Sequence, residues 1–113
     1  MKSKLIVTQL AALAQDKRLA IFRLLVEAGT EGLAAGEIAE SLSIANATLS
    51  FHLKELSNAA LVVSRPASRH IYYSANYEAM NALVGFLTEN CCGDKAQCAP
   101  QCRPARSNKK LAV

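Results

Sequence analysis

The apolar residues of this chain follow two rhythms: most recur every three to four positions, and a denser group lies just past the middle. Leu5, Ile6, Leu10 and Leu13 lay out a first helix, and Leu19, Phe22, Leu25 and Val26 repeat at the helical period in a second. Asp16 stands where a carboxylate caps the start of that second helix, and Gly29 and Gly32 close it. AAGEIAESLS (34–43) predicts a short third helix with Ile38, Ala39 and Leu42 inward. ANATLSFHLKELSNA (45–59) predicts a fourth, with Leu49, Leu53 and Leu56 on one face. Two short helices joined by a tight turn, the second polar on its outer side, make a helix-turn-helix.

From residue 61 the pattern changes. Val62, Val63, Ile71, Tyr72 and Tyr73 are strand formers, and the RPASR between them supplies turn residues and charge, which predicts a hairpin with a basic tip. Met80, Leu83, Val84 and Leu87 return to helical spacing over 77–90. Beyond Cys92, Gly93, Pro100 and Pro104 forbid a long helix. The expected fold is mainly α with a β-hairpin wing, in the order α-α-α-α-β-β-α: a winged helix-turn-helix. The first and last helices carry more apolar residues than a domain of this size readily buries. A homodimer paired through them would present two reading helices to half-sites about one DNA turn apart. Three segments are expected: 1–90 for DNA binding and dimerisation, 91–102 as a cysteine-rich inducer-binding segment, and 103–113 as a basic, disordered tail.

Composition sharpens this picture in two places. The net charge is +4, yet Arg103, Arg106, Lys109 and Lys110 carry four of the thirteen basic charges, leaving nine basic against nine acidic groups in 1–102. DNA binding must therefore be argued from where charge sits. Within 46–73, Lys54, Arg65 and Arg69 face Glu55 alone. The outer face of the fourth helix offers Asn46, Thr48, Ser50, His52 and Lys54 to base edges and phosphates, while Arg65 and Arg69 sit where a wing meets backbone or minor groove. The opening MKSKLIVTQLAALA imitates a secretory signal, but Thr8 and Gln9 interrupt it and the apolar pattern runs on into the second helix. No stretch approaches the roughly 20 apolar residues of a membrane span. A cytoplasmic protein is expected, in which thiols stay reduced.

The run LSIANATLSFHLKELSNAALVVSRPASRHIYYSAN resembles the ArsR-type (ArsR/SmtB) repressors, whose reading helix carries a Ser-x-His-Leu-x-x-Leu core, here Ser50, His52, Leu53 and Leu56. The resemblance spans roughly residues 5 to 90. It implies a dimer paired through the first and last helices that leaves operator DNA when an inducer binds, and it implies no catalysis. Two positions depart from the pattern: Ala45 stands where a capping Ser is common, and Ala47 where Pro is common.

All four cysteines lie in NCCGDKAQCAPQC (90–102). Adjacent cysteines are poor disulfide partners, because a trans peptide holds their Cα atoms about 3.8 Å apart. Two such thiolates can grip one soft ion, and a third on a flexible loop completes a trigonal set suited to trivalent arsenic or antimony. A tetrahedral Cys₄ site for Zn²⁺ or Cd²⁺ and a Cys98–Cys102 redox switch stay open on the residues alone. The pattern looks like an ArsR-type arsenite repressor whose site ends the last helix, which implies Cys91, Cys92 and Cys98 as ligands and Cys102 as a spare or alternative. Two other sites that the resemblance suggests are absent: the third helix lacks the Cys-x-Cys pair of one type, and for the Asp/His/Glu set of another 77–90 offers only Glu78 and Glu89, far more than one turn apart. The expected partners are operator DNA, a second copy and one As(III) or Sb(III) per subunit, with no obligatory cofactor and no membrane. Catalysis is not expected, since no Ser/His/Asp set or Gly-rich phosphate loop is present, and cysteines after a helix C-terminus meet a dipole that opposes the thiolate.

Overall fold

A computed structural model describes residues 2–91, so the cysteine-rich segment beyond Cys91 and the basic tail lie outside the described residues. The elements are α1 (Lys2–Leu13), α2 (Asp16–Ala28), β1 (Leu33–Ala34), α3 (Ala35–Leu42), α4 (Asn46–Asn58), β2 (Val62–Ala67), β3 (His70–Ala75) and α5 (Tyr77–Leu87). This is the winged helix-turn-helix that the hydrophobic rhythm predicts, with one addition. Leu33 and Ala34 pair antiparallel with Tyr73 and Tyr72, so the hairpin becomes a three-stranded sheet in the order β1-β3-β2.

The chain divides into two compact units, residues 1–80 and residues from 81 onward, with α5 running across the division. In the first unit the core is drawn from every helix of the helix-turn-helix: Ile21, Phe22 and Leu25 of α2, Ile38 of α3, and Leu49, Leu53 and Leu56 of α4. Leu61, Val62 and Ala75 close it on the sheet side. Each fully buried Leu or Ile contributes about 1.5–3 kcal/mol relative to exposure, which is why the inward faces are so strictly apolar. In the second unit Leu83 is buried, and the helix ends in a turn where the Cys91 N–H donates to Thr88 O at 3.0 Å.

The helix ends show how short polar groups fix the framework. Asp16 does not cap α2; it is the first helical residue, and the Gln15 Oε1 accepts from the Lys17 and Arg18 N–H groups at 2.9 and 3.1 Å. At the turn of the helix-turn-helix, Ser43 takes the left-handed conformation and the Ile44 N–H reaches back to Ala39 O at 3.0 Å, a closed C-terminal cap that buries Ile44. The same device ends α4: Ala60 is left-handed, and the buried Leu61 donates to Leu56 O at 3.0 Å. Asn76 clamps this corner to the next helix, donating to Ala60 O and accepting the Ala79 N–H.

The start of α4 has no such help. Ala45 is its N-cap, in extended conformation and without a side-chain hydrogen bond, and Asn46 already lies inside the helix. A Ser fits that backbone and can accept from an orphan N–H, so Ala45→Ser is expected to stabilise the protein by about 1 kcal/mol. A urea-denaturation midpoint that does not rise would show that the α4 amides are already satisfied.

Candidate nucleic-acid interface

The outer face of α4 follows from its inner one. Leu49, Leu53 and Leu56 are buried, which turns Thr48, Ser50 and Lys54 outward, while Asn46 lies near that stripe by phase and is exposed as the first residue of the helix. No acidic residue occupies the first turn, so the positive end of the helix dipole is unopposed there. A helix presenting an uncompensated N-terminus, short hydroxyl and amide groups and a lysine can bond phosphate oxygens and base edges at once.

His52 is the correction on this helix. The residue is 6% exposed, and Nδ1 lies 3.2 Å from Nη1 of Arg18 on α2. Helical phase explains this, since His52 lies on the flank of the Leu49–Leu53–Leu56 stripe, and its polarity suggested an outward role that its position does not allow. Guanidinium only donates, so Nδ1 must accept and the neutral ring carries its proton on Nε2. Arg18 also donates through Nε to Ala12 O at 2.7 Å, which makes one guanidinium the joint between α1, α2 and the reading helix. A second tie runs beside it: buried Gln9 donates through Nε2 to Ala59 O, at the end of α4, at 3.1 Å.

Burial first, and then the charges of Arg18 and Lys17, hold the His52 pKa below its ordinary value of 6.5, against the weaker opposite pull of Asp16 and Glu55. The unfolded chain therefore binds the proton more readily than the folded one. The stability supplied by the neutral ring is complete above about pH 6.5 and falls as pH drops through that value, levelling off below the lowered native one. Denaturation midpoints between pH 7 and pH 5 should decline more steeply in the wild type than in His52→Gln, and equal slopes would remove His52 from the titration.

The wing is longer and tighter than its sequence suggests. β2 and β3 pair without a break from Val62↔Ala75 to Ala67↔His70, leaving a two-residue loop of Ser68 and Arg69. Ser68 takes a positive φ of 57°, which lets the strands turn back at once. Pro66 is accommodated because β2 is an edge strand. Both wing arginines are exposed, and they differ in what they touch within the chain. Arg69 is exposed at the loop. Arg65 leans over the Tyr72 ring at 5.1 Å and donates through Nη2 to Glu31 O at 2.9 Å, tying the wing to the loop before β1.

Of the predicted thiol ligands only Cys91 is described, half-buried in the turn after α5. Cys92, Cys98 and Cys102 lie outside the described residues. Among the described residues no three His, Cys, Asp or Glu side chains gather as a metal site, and no helix is long and apolar enough to cross a membrane.

A half-exposed Phe51 was not anticipated from sequence. It sits about 200° around the helix from Leu49, at roughly 100° per residue, among Ala47, Thr48 and Lys54. Counting from the inner leucines would have found it.

This geometry defines a DNA-reading helix-turn-helix with a β wing. Residues 13–65 match the family described as Helix-turn-helix domain. The chain is 40% identical to the HTH-type transcriptional regulator YceK of Bacillus subtilis (strain 168) over 77 residues, 67% of this chain and 76% of that one. Its fold matches the ArsR-like transcriptional regulator from Rhodococcus sp. RHA1 with a TM-score of 0.71 and 23% identity, covering 98% of this chain and 90% of that one. It also matches the homodimeric winged helix-turn-helix DNA-binding domain of Mb0332 from Mycobacterium bovis, with a TM-score of 0.62 and 26% identity over 83% of this chain and 87% of that one. The chain belongs to the ArsR-type helix-turn-helix transcriptional regulators.

Proposed function

We propose that this regulator is a cytoplasmic homodimeric repressor that holds the operator of an arsenic-resistance operon and releases it when As(III) or Sb(III) binds. The observation that carries the DNA part is the exposed polar face of α4, with Asn46, Thr48, Ser50 and Lys54 exposed and Arg69 at the tip of the wing. Arg65, exposed on the same wing, adds its charge to that contact and ties the wing to the loop before β1. Pairing of two chains is supported by the apolar residues that α1 and α5 leave exposed, Leu5, Val7 and Leu10 on one and Val84 and Leu87 on the other, and by the homodimer described for Mb0332.

The inducer part rests on the cysteines. Cys91 and Cys92 are adjacent in sequence, and Cys98 follows six residues after Cys92 with Gly93 between them, so three soft thiolates can close on one thiophilic ion per subunit, with Cys102 in reserve. Loading would draw the tail toward the end of α5, a helix of the proposed dimer contact, and change the spacing of the two reading helices. Such linkage is typically worth about 1–3 kcal/mol and is reciprocal, so operator DNA must weaken arsenite binding by the same factor.

The test is fluorescence anisotropy of the dimer on its own promoter DNA, titrated with arsenite, zinc and cadmium under reducing conditions. Release by arsenite is expected, abolished in Cys91→Ser, Cys92→Ser and Cys98→Ser and kept in Cys102→Ser. Release by zinc or cadmium alone, or its loss in Cys102→Ser, would replace the three-thiol site with a Cys₄ site. Release only on oxidation would replace it with a redox switch.

A further inference from the structure

We infer that Phe51 is a specificity-determining residue of the reading helix, its ring seated on the C5 methyl group of a thymine in the major groove. This rests on the DNA-binding reading above and adds to it which base feature is read and by what.

Phe51 is 54% exposed, and it is the one large hydrophobic side chain exposed on α4 among the described residues. Its neighbours one helical turn away are Ala47, Thr48, Lys54 and Glu55, none of them a large apolar group. The exposed apolar residues elsewhere lie on other elements: Leu5, Val7 and Leu10 on α1, Leu19 on α2, Val63 and Ile71 on the hairpin, Val84 and Leu87 on α5. Pairing through α1 and α5 therefore gives no reason for an aromatic ring at the centre of the polar face of α4.

The ring is also held. Its centroid lies 5.6 Å from that of His52, at an interplanar angle of 59°, and His52 is itself fixed beneath the helix by Arg18. A buttressed ring flanked by Ala47, Thr48 and Ser50 stands above its short neighbours, so it reaches a surface laid against the helix before they do. Lys54, one turn further on, can meet the adjacent phosphates. Of the four bases, only thymine presents an apolar group in the major groove, its C5 methyl; the other edges present donors and acceptors that a phenyl ring cannot satisfy. Shape and chemistry thus select one occupant.

The experiment starts from operator duplexes enriched from a random pool with the full chain. Each thymine is then replaced singly by uracil, which removes the methyl and leaves base pairing intact. Wild type should lose about fourfold in affinity at one thymine per half-site, the worth of one buried methyl, and about fifteenfold when both half-sites are changed. Phe51→Ala should bind the thymine operator more weakly, be indifferent to the uracil substitution and melt at the wild-type temperature. Phe51→Leu should keep part of the sensitivity. Equal wild-type binding to every uracil duplex, or an undiminished uracil penalty in Phe51→Ala, overturns the assignment. Failure to enrich any duplex overturns the DNA-binding reading itself, which is a different result.

Discussion

Gly32→Ala is expected to lower the free energy of unfolding by about 3 kcal/mol or more. Two costs meet at this residue. Its φ of 76° lies in the region where a side chain costs about 1–2 kcal/mol. A Cβ built there also overlaps the carbonyl oxygen and carbon of Tyr73 and comes within 3.1 Å of the Ser74 Cβ. The obstructing atoms are backbone of the central strand, paired on one side to β1 and on the other to β2, so they cannot swing aside as a flexible side chain would. Gly29 supplies the comparison within the same loop. It has a φ of 91° but nothing within 4 Å of its Cβ position, so Gly29→Ala should show the conformational cost alone. Denaturant titration of both variants checks this, and a Gly32→Ala loss no larger than the conformational cost of about 1–2 kcal/mol would show that β3 yields to the methyl. The loop also carries Glu31, whose carbonyl receives Arg65, so a displaced Gly32 should loosen the wing and weaken DNA binding beyond the loss of stability.

Arg18→Met should cost about 2–3 kcal/mol, far more than loss of an arginine on an exposed face. The substitution keeps much of the aliphatic stem but removes the donors to Ala12 O and to His52 Nδ1, leaving an acceptor on a buried ring without its partner. Arg23 is the control on the same helix. Its ion pair with Glu27 spans 3.9 Å between well-exposed side chains, and such pairs contribute about 0.5 kcal/mol or less. Arg23→Met should therefore be nearly silent. The Arg18 variant carries a second signature, because removing that positive charge lets His52 titrate nearer its ordinary value and flattens the acid-side decline in stability. It should also bind operator more weakly although Arg18 is not on the outer face of α4. A variant that lost stability but kept full operator affinity would show that α4 holds its orientation without the joint.

What the sequence made legible follows the strength of its periodicity. The inner leucines of α4 and the apolar stripe of α2 are dictated by burial, and the helices they predict are present to within a few residues. The strand at Leu33–Ala34 was not readable, because two residues carry no period. It exists because Tyr72 and Tyr73 offer a free edge, a contact made across nearly forty residues of chain. The cap of α2 was misplaced by one position because Asp is the more familiar capping residue, whereas here the Gln15 amide reaches the same N–H groups. At the interface, residue type and helical phase gave conflicting signals. His52 looked like a reader by chemistry and is buried by phase; Phe51, which its chemistry did not mark as a reader, is turned outward by phase. Arg65 had the charge of a DNA contact, but its tie to Glu31 depends on a loop thirty-four residues away in sequence.

The sheet has a property that matters when the protein is off its operator. An open sheet normally exposes two rows of unpaired amides and carbonyls that a neighbouring molecule can extend, and this is how soluble proteins begin to polymerise. Here one border is β1, only two residues long, and the other is β2, in which Pro66 lacks an N–H to offer. Neither border can template a long ladder. The half-exposed Val63 and Ile71 on the hairpin are thereby tolerable, because the backbone that would turn their stickiness into fibre growth is blunted on both sides. The wing can protrude far enough to meet a duplex without becoming a nucleus for aggregation.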